Sequence, residues 1–244
     1  MAGLTVQTRV RQLARRAVNR AGFDVVRDPF HHRLRRLLDA AGIDRVLDVG
    51  ANLGQYAAGL RIAGFDGRIV SCEPLLDLYT PLARRAVRDP HWTVLRTALG
   101  DEVGTATLNV SANAYSSSVL DMLPAHLAAA PGSGYVDKEE VPLTTVDELV
   151  EQHGLTPGRT LVKIDVQGFE SAVLAGAAGA LPALAAVQVE LSLVPLYDGQ
   201  PLMADTVDRL AAAGLSLWAL EPGFTDARSG RLLQCDGVFL RDPA

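Results

Sequence analysis

Short apolar runs alternate with amphipathic stretches along most of the chain. Five of these runs are bounded by glycine or polar residues and predict buried strands, at residues 45–50, 68–74, 92–99, 160–165 and 185–192. Apolar positions at helical spacing follow three of them and predict helices over 54–64, 75–87 and 168–177. Strands that are apolar throughout and alternate with helices form a mainly parallel sheet covered on both faces.

The last part of the chain departs from this alternation. A helix predicted over 203–213 leads to two strands, 215–222 and 232–242, joined by a short turn-rich loop without a helix. Two strands joined in this way form an antiparallel hairpin. The predicted fold class is therefore α/β: a doubly wound, Rossmann-like sheet of seven strands with an antiparallel C-terminal hairpin.

Residues 101–158 interrupt the alternation with serine, asparagine, proline and glycine, and we predict an insertion within one domain. This domain covers residues 43–244. Residues 1–42 are predicted to form a lead-in packed on the domain, with helices over 5–20 and 30–41.

The first 45 residues are basic, with ten arginines against four aspartates, although the whole chain has a net charge of −5. A solvated helix packed on the domain is our first interpretation, and contact of this basic helix with an anionic lipid surface is the alternative. No uninterrupted apolar segment of the signal-peptide type precedes the domain, and no run of about 18 apolar residues occurs. We therefore expect a cytoplasmic protein without a transmembrane segment, and homodimer formation is left open.

Composition narrows the function classes. A negative net charge argues against a nucleic-acid partner, because such domains usually carry a strong basic patch. Cys72 and Cys235 are too few for a disulfide framework or a zinc cluster, and both lie in apolar runs typical of small buried side chains. A small-molecule partner is the remaining expectation.

The first strand ends in VLDVGANLGQYA, residues 46–57, where a glycine-rich turn leads into a helix. The dinucleotide pattern G-x-G-x-x-G needs its second glycine so that the backbone can approach a pyrophosphate. Asn52 stands at that place and Tyr56 at the sixth position, so the pattern is absent. No Gly-Lys-Ser/Thr follows the turn, so the P-loop pattern is absent as well.

Carboxylates at the strand ends favour a cationic nucleoside. Asp48 would repel a pyrophosphate but suits S-adenosylmethionine, which carries a sulfonium and an ammonium group. Glu73 ends the second strand, where a carboxylate accepts hydrogen bonds from both ribose hydroxyls. At the third strand end, ALGD places the backbone of Ala98 and Leu99, together with Asp101, beside the adenine. The predicted cofactor is S-adenosylmethionine, which also contacts the turn at Gly50, Asn52, Gly54 and Tyr56.

Five segments together resemble the FkbM family of S-adenosylmethionine-dependent O-methyltransferases: VLDVGANLGQYA, CEP at 72–74, TALGD at 97–101, NAYSSSVL at 113–120 and LVKIDVQGFESAVLAG at 161–176. The resemblance covers roughly residues 43–220. The last segment is the most specific, although Gln167 stands where the family usually has glutamate. The resemblance implies a class I methyltransferase sheet, with Ser117 and Asp165 contributing to the donor site.

The resemblance also implies an activity. It points to transfer of the methyl group to a hydroxyl of a deoxysugar, such as a rhamnosyl unit, in a glycolipid or a secondary-metabolite glycoside. Tyr115 is then expected to contact the acceptor, and the apolar LVPLY segment adds Tyr197 as a second contact. The alternatives are methylation of a polyketide hydroxyl or of a carboxylate, a nicotinamide oxidoreductase, and a non-catalytic S-adenosylmethionine-binding protein, which Gln167 favours.

Methyl transfer to a hydroxyl is helped by a general base, typically by 10²–10⁴-fold. Three residues qualify by position: His126 in the insertion, Asp165 at the end of the fourth strand and Glu190 near the end of the fifth. His126 and Asp165 are the leading candidates. Each residue also has an interpretation without a catalytic role. His126 could be a solvent-facing helix residue, Asp165 a donor contact or a helix cap, and Glu190 a buried hydrogen-bond partner. Asp165 and Glu190 with a third carboxylate could hold Mg²⁺. No tight acidic spacing demands a metal, and we predict that none is essential.

Overall fold

A computed structural model describes residues 29–113 and 115–241. The strands found in this part of the chain are β1 (Arg45–Val49), β2 (Arg68–Cys72), β3 (Trp92–Leu95), β4 (Ala98–Leu99), β5 (Gly104–Ser111), β6 (Tyr135–Thr144), β7 (Thr160–Ile164), β8 (Ala186–Ser192), β9 (Leu215–Pro222) and β10 (Gln234–Arg241). The α-helices are α1 (Pro29–Ala40), α2 (Gln55–Ile62), α3 (Leu76–Ala86), α4 (Pro124–Ala129), α5 (Val146–Gln152), α6 (Glu170–Ala175) and α7 (Met203–Ala212).

Seven of these strands form the central sheet, in the order β3-β2-β1-β7-β8-β10-β9. Strands β3, β2, β1, β7 and β8 are parallel, and β10 runs antiparallel to both β8 and β9. The predicted doubly wound sheet of seven strands with a C-terminal hairpin is confirmed. From β1 the chain winds outward to β2 and β3 and later returns to β7 on the other side, so a ligand crevice is expected at the carboxyl end of β1.

The segment after β3 differs from the prediction. We predicted one strand over 92–99, but these residues divide between β3 in the central sheet and β4 in a second sheet of order β4-β6-β5. The insertion predicted over 101–158 contains the antiparallel pair β5–β6 and helices α4 and α5. The sequence does not reveal β6 because its exposed positions carry the polar run VDKEE, which hides the alternation of a half-buried strand.

Apolar side chains cover both faces of the central sheet, because successive residues of a strand point to opposite sides. The face covered by α1 and α2 includes Val46, Leu161, Ala186 and Val238. The opposite face, covered by α5, α6 and α7, includes Leu47, Val162, Val187 and Phe239. Towards the carboxyl ends of the strands the first of these faces becomes polar, and there the candidate site lies.

Helix α1 belongs to the core. Leu34 and Leu38 are buried in it, and Arg33 donates to Glu221 of β9 at 2.5 Å. The helix predicted over 5–20 lies outside the described residues. Within the described ranges, we find no helix whose length and hydropathy would let it cross a bilayer.

Replacing Leu38 by alanine tests this packing of α1. The side chain is 0% exposed, so Leu38→Ala is expected to lower the free energy of unfolding by about 2–5 kcal/mol. Val87→Ala is the control, because Val87 is 84% exposed and its loss should cost less than about 0.5 kcal/mol. Urea unfolding measures both variants, and equal effects would contradict the packing of α1.

Candidate active site

A cavity of about 740 Å³ lies at the carboxyl edge of the central sheet. Residues at or near the ends of four parallel strands line it, namely Val49, Glu73, Asp165 and Glu190. Helix α1, the second sheet and the loop around residues 113–117 contribute further lining residues. Small-molecule sites usually measure about 300–1,000 Å³, so this cavity has a suitable size at the place where doubly wound folds bind ligands.

The turn after β1 requires glycine for steric reasons. Gly50 has a φ of 76°, and a Cβ atom there would lie 1.9 Å from the carbonyl oxygen of Asp165. The turn therefore lies directly against the end of β7, and both Gly50 and Asn52 line the cavity. Gly54 packs instead beneath Leu82, 2.6 Å from where its Cβ would stand, and does not line the cavity. The structure gives Gly54 a packing role, and its contact with the cofactor stays a prediction.

Glu73 lines the cavity at the end of β2. Its two carboxylate oxygens accept hydrogen bonds from the backbone N–H groups of Asn52, at 2.8 Å, and Leu75, at 3.0 Å. Burial raises the pKa of Glu73 to about 7, and these two bonds offset only part of that effect. Each oxygen keeps a lone pair for another donor, so the carboxylate can accept from a pair of adjacent hydroxyls.

Apolar side chains line the same cavity as Glu73 and include Leu75, Leu78, Ala98 and Leu99. Ala98 and Leu99 therefore offer part of an apolar surface to a ligand in the cavity. Asp101 is exposed and does not line the cavity, since β4 ends at Leu99 and the chain turns away toward β5. The contact of Asp101 with adenine stays a prediction that the cavity lining does not support.

Asp48 lies behind the cavity instead of facing it. Its side chain is 0% exposed and is not part of the cavity lining. One oxygen accepts from the Ser71 hydroxyl at 2.9 Å, and the other lies 3.4 Å from the ammonium nitrogen of Lys163. The structure therefore places Asp48 behind the cavity lining, and its contact with a cationic ligand stays a prediction. The reason for this placement is the register of β1 and β7, which pairs Asp48 with Lys163.

Lys163 links the buried Asp48 to the cavity. Its ammonium nitrogen lies 3.4 Å from Asp165, donates to the Gly50 carbonyl at 3.0 Å, and stands 5.6 Å from the centre of the Tyr56 ring. Burial lowers the pKa of Lys163, but Asp165 and Asp48 raise it, and the net change is upward. The charged ammonium group therefore fixes the glycine turn and Tyr56, which lines the cavity, relative to β7.

Three carboxylates line the cavity near one another, and we call Asp165, Glu190 and Asp236 the carboxylate row. Glu190 and Asp236 are direct partners in the β8–β10 ladder, and Asp165 follows the last residue of β7, the other neighbour of β8. Burial and then the charge of Asp165 raise the pKa of Glu190 well above its usual range and that of Asp236 to about 6. The row therefore attracts protons or cations.

Gln167 bridges two members of the carboxylate row. Its side-chain nitrogen donates to Asp165 at 2.9 Å and to Oε2 of Glu190 at 3.1 Å, while the Gln234 amide donates to the same Oε2 at 2.6 Å. Gln167 has a φ of 56°, and Glu170 supports this turn by accepting from two of its backbone N–H groups. A glutamate at 167 could not donate these bonds, so the amide matches the carboxylates around it.

His126 lines the cavity, but both ring nitrogens have partners. Nδ1 lies 3.0 Å from the Ser133 hydroxyl, and Nε2 lies 3.3 Å from the hydroxyl of Tyr197. Burial lowers the pKa of His126, so the imidazole is neutral at pH 7. Tyr197 is completely buried and donates to Gln167 at 2.9 Å. Tyr197 does not line the cavity, and its direct contact with the acceptor stays a prediction.

The loop of the second sheet brings Tyr115 and Ser117 to the cavity. Tyr115 is 65% exposed, and the Ser117 hydroxyl accepts from the backbone of Ser111 at 3.0 Å. Their contacts with acceptor and donor stay predictions. Within residues 29–113 and 115–241, no group of three or more His, Cys, Asp or Glu is arranged to hold a metal. Metal independence also stays a prediction.

Part of the site is built from strand residues that the sequence analysis did not select: Lys163, Gln188, Gln234 and Asp236. Each is a polar residue inside an otherwise apolar strand. Such residues need partners when buried, and this is the signal that could have marked them. Their partners come from distant segments, so the contacts themselves are not readable from the sequence.

The sheet order, the glycine turn and the acidic residue at the end of β2 define a nucleoside-binding α/β protein with a class I methyltransferase fold. The chain belongs to the FkbM methyltransferase family: the family model described as "Methyltransferase FkbM domain" matches residues 48–217. The match runs from the end of β1 into β9 and includes Glu73, Asp165 and Glu190.

A curated relative and two solved structures are similar to the chain. The hexuronic acid methyltransferase AglP of Haloferax volcanii is 31% identical over 160 residues, which are 65% of this chain and 60% of the relative, so less than two thirds of the relative is matched. A fibrillarin from Aeropyrum pernix with bound S-adenosyl-L-methionine has 12% identity and a TM-score of 0.45, over 81% of this chain and 66% of that one. The 1,6-didemethyltoxoflavin-N1-methyltransferase of Burkholderia thailandensis has 13% identity and a TM-score of 0.45, over 100% of this chain and 93% of that one. Similarity at this level carries no argument about function.

The Asp48–Lys163 pair can be tested by removing its members in turn. Lys163→Met leaves the fully buried Asp48 without its cation and is expected to cost about 3–5 kcal/mol of the free energy of unfolding. Asp48→Asn combined with Lys163→Met should recover most of that loss, because no fully buried charge is then left unpaired and Asp165 is partly exposed to solvent. Urea unfolding measures both variants. A double variant as unstable as Lys163→Met would contradict the pairing.

Proposed function

We propose that the protein is an enzyme that transfers the methyl group of S-adenosylmethionine to a hydroxyl group of a sugar. The observation that carries the proposal is the presence of Glu73 and the carboxylate row in one cavity. Glu73 suits the ribose of the donor, and the row suits both a positive charge and a proton taken from the acceptor. Membership of the FkbM methyltransferase family supports the reaction class.

The donor would be held by residues at the ends of β1, β2 and β4. Glu73 accepts from the ribose hydroxyls, Ala98 and Leu99 flank the base, and the turn at Gly50 together with Asp165 holds the amino-acid portion. When bound, S-adenosylmethionine supplies a methyl group carried by a positively charged sulfur. Of the two carboxylates paired with Lys163, Asp165 is assigned to this portion because it lines the cavity and Asp48 does not.

Glu190 is the favoured general base among the three candidates. Within the described residues, the hydrogen bonds that Glu190 accepts from the Gln167 and Gln234 side chains both reach Oε2. Its raised pKa makes it a strong base once it is ionised. Asp165 is tied to Lys163, and both ring nitrogens of His126 have partners. We therefore assign proton acceptance from the acceptor hydroxyl to Glu190.

An uncharged sugar suits the cavity better than a hexuronate. At an effective dielectric constant of about 20, a carboxylate placed about 5 Å from one ionised member of the row would be repelled by about 3 kcal/mol. Sugar hydroxyls, in contrast, donate hydrogen bonds to carboxylates and side-chain amides, and the amides of Gln188 and Gln234 also line the cavity. We propose a deoxysugar, such as a rhamnosyl unit in a glycolipid or secondary-metabolite glycoside, although the relative AglP is named for hexuronic acid.

Gln167 is compatible with turnover. A protein that binds the donor without catalysis is the second candidate, and the replacement of the family's usual glutamate at 167 favours it. The Gln167 amide, however, holds Asp165 and Glu190 in place, so the proposed base is retained. A cytoplasmic location, homodimer formation and lipid contact of the arginine-rich N-terminus stay predictions.

The proposed reaction can be tested with a panel of sugars. Purified protein with S-adenosylmethionine is expected to form S-adenosylhomocysteine with rhamnosides, and at least tenfold more slowly with hexuronides, because the row repels their carboxylate. Mass analysis of the glycosides identifies the methylated product. Asp236→Asn should reduce the difference in rate between rhamnosides and hexuronides, because it removes one carboxylate of the row. Donor binding without any product would favour the non-catalytic protein, and faster reaction of hexuronides would contradict the proposed acceptor.

Binding of S-adenosylhomocysteine should depend on the ionisation of Glu73. Ribose hydroxyls donate to the ionised carboxylate, so affinity is expected to rise as the pH increases through about 7 and to level off above it. One pH unit below the pKa, the affinity should be about tenfold weaker. Calorimetry between pH 6 and 8.5 measures the affinity. Glu73→Gln should bind weakly and without pH dependence. Glu140→Gln is the control, because Glu140 is exposed, and it should behave like the unmodified protein. A flat profile in the unmodified protein would contradict the assignment.

A further inference from the structure

The carboxylate row holds more negative charge than the neighbouring cation neutralises. Asp165, Glu190 and Asp236 all line the cavity, and Lys163 is the one lysine or arginine among the described lining residues. Lys163 also lies against the buried Asp48, at the same 3.4 Å distance that separates it from Asp165. One ammonium group is therefore shared between the row and a carboxylate outside the cavity.

The spacing within the row disfavours full ionisation. The bridging nitrogen of Gln167 lies 2.9 Å from an oxygen of Asp165 and 3.1 Å from an oxygen of Glu190, so these oxygens are at most about 6 Å apart. At an effective dielectric constant of about 20, repulsion over that distance reduces the doubly ionised form about a hundredfold. Lys163 offsets only part of this effect at Glu190, so we expect the row to retain a proton until a further cation enters the cavity.

We propose that the carboxylate row exchanges a proton for the positive charge of the methyl donor. The row releases a proton when S-adenosylmethionine binds, and it takes up the proton of the acceptor hydroxyl when the methyl group has been transferred. This inference rests on the proposed function of the site and adds to it a coupling between donor charge and the protonation of Glu190.

The charge of the cavity is then constant through the reaction. Glu190 accepts the proton as the acceptor O–H bond breaks and the new O–C bond forms, and the electron pair of the broken C–S bond stays on sulfur. Sulfur changes from positive to neutral while Glu190 changes from carboxylate to carboxylic acid. The row is thus ionised while the cationic donor is bound, and it is protonated while the neutral thioether product is bound. The total charge of the cavity is the same in both complexes.

Groups on four elements determine where the proton resides. Lys163 on β7 and Asp165 at its end face Glu190 of β8, as do Glu170 on α6 and Asp236 on β10. Burial raises the pKa of Glu190, and the three acids raise it further, whereas Lys163 lowers it. An added cation, like Lys163, lowers the pKa of Glu190 and so favours its ionised form. We therefore assign the released proton to Glu190.

Calorimetric titration in buffers of different ionisation enthalpy counts the protons released on binding. S-adenosylmethionine and S-adenosylhomocysteine bring the same ribose to Glu73, so the difference between them isolates the effect of the sulfonium. Near neutral pH we expect S-adenosylmethionine to release up to one more proton. By linkage, its affinity relative to S-adenosylhomocysteine should rise by up to tenfold per pH unit.

Variants assign the extra proton to the row. Glu190→Gln should abolish the additional proton release seen with S-adenosylmethionine. It should also make the ratio of the affinities for S-adenosylmethionine and S-adenosylhomocysteine independent of pH. Glu221→Gln is the matched control, because Glu221 neighbours Asp236 in the β9–β10 ladder but pairs with Arg33 and does not line the cavity. It should retain the excess.

Equal proton release by the two ligands, or an excess that survives in folded Glu190→Gln, would overturn the inference. If thermal unfolding shows that Glu190→Gln does not fold, Asp236→Asn serves instead. It relieves the repulsion on Glu190 and should reduce the excess, and an unchanged excess would again contradict the exchange. Failure of the proposed function looks different: the excess would be present, but no sugar would be methylated.

Discussion

The ammonium group of Lys163 between Asp48 and Asp165 is the interaction on which the site depends. Because both carboxylates are held by one cation, β1 and β7 end side by side with the turn at Gly50 directly above them. Among the described residues that line the cavity, Lys163 carries the only ammonium group, and it pairs with Asp48 and Asp165. Glu190 and Asp236 are therefore left without a cation of their own. The negative charge that faces a ligand therefore comes from β8 and β10 as well as from β7.

The fold was readable from the sequence because the strands of the central sheet are apolar on both faces and the final hairpin lacks a helix. The position of Glu73 at the carboxyl edge of the sheet could also be predicted, because a residue at the end of a strand lies at that edge whatever the register of the strand. The orientation of Asp48 could not be predicted, because it depends on which strand lies beside β1 and on its pairing with Lys163. The second sheet was hidden because β6 alternates too weakly.

Gln167 shows how a departure from a family pattern can be understood through its contacts. Read alone, the loss of a carboxylate at this position suggests lost catalysis. In the structure its amide oxygen accepts from Tyr197, and its amide nitrogen donates to two carboxylates, two bonds that an ionised carboxylate could not make. The glutamine therefore holds two carboxyl groups close together, as the proposed proton exchange requires.

The central claim is that the charges of the cavity select a positively charged nucleoside donor and reject a diphosphate. Parallel calorimetric titrations of the unmodified protein with S-adenosylmethionine and with a nicotinamide dinucleotide test it most directly. The account predicts binding of S-adenosylmethionine at a single site and no measurable binding of the dinucleotide. Tight binding of the dinucleotide together with no binding of S-adenosylmethionine would contradict it.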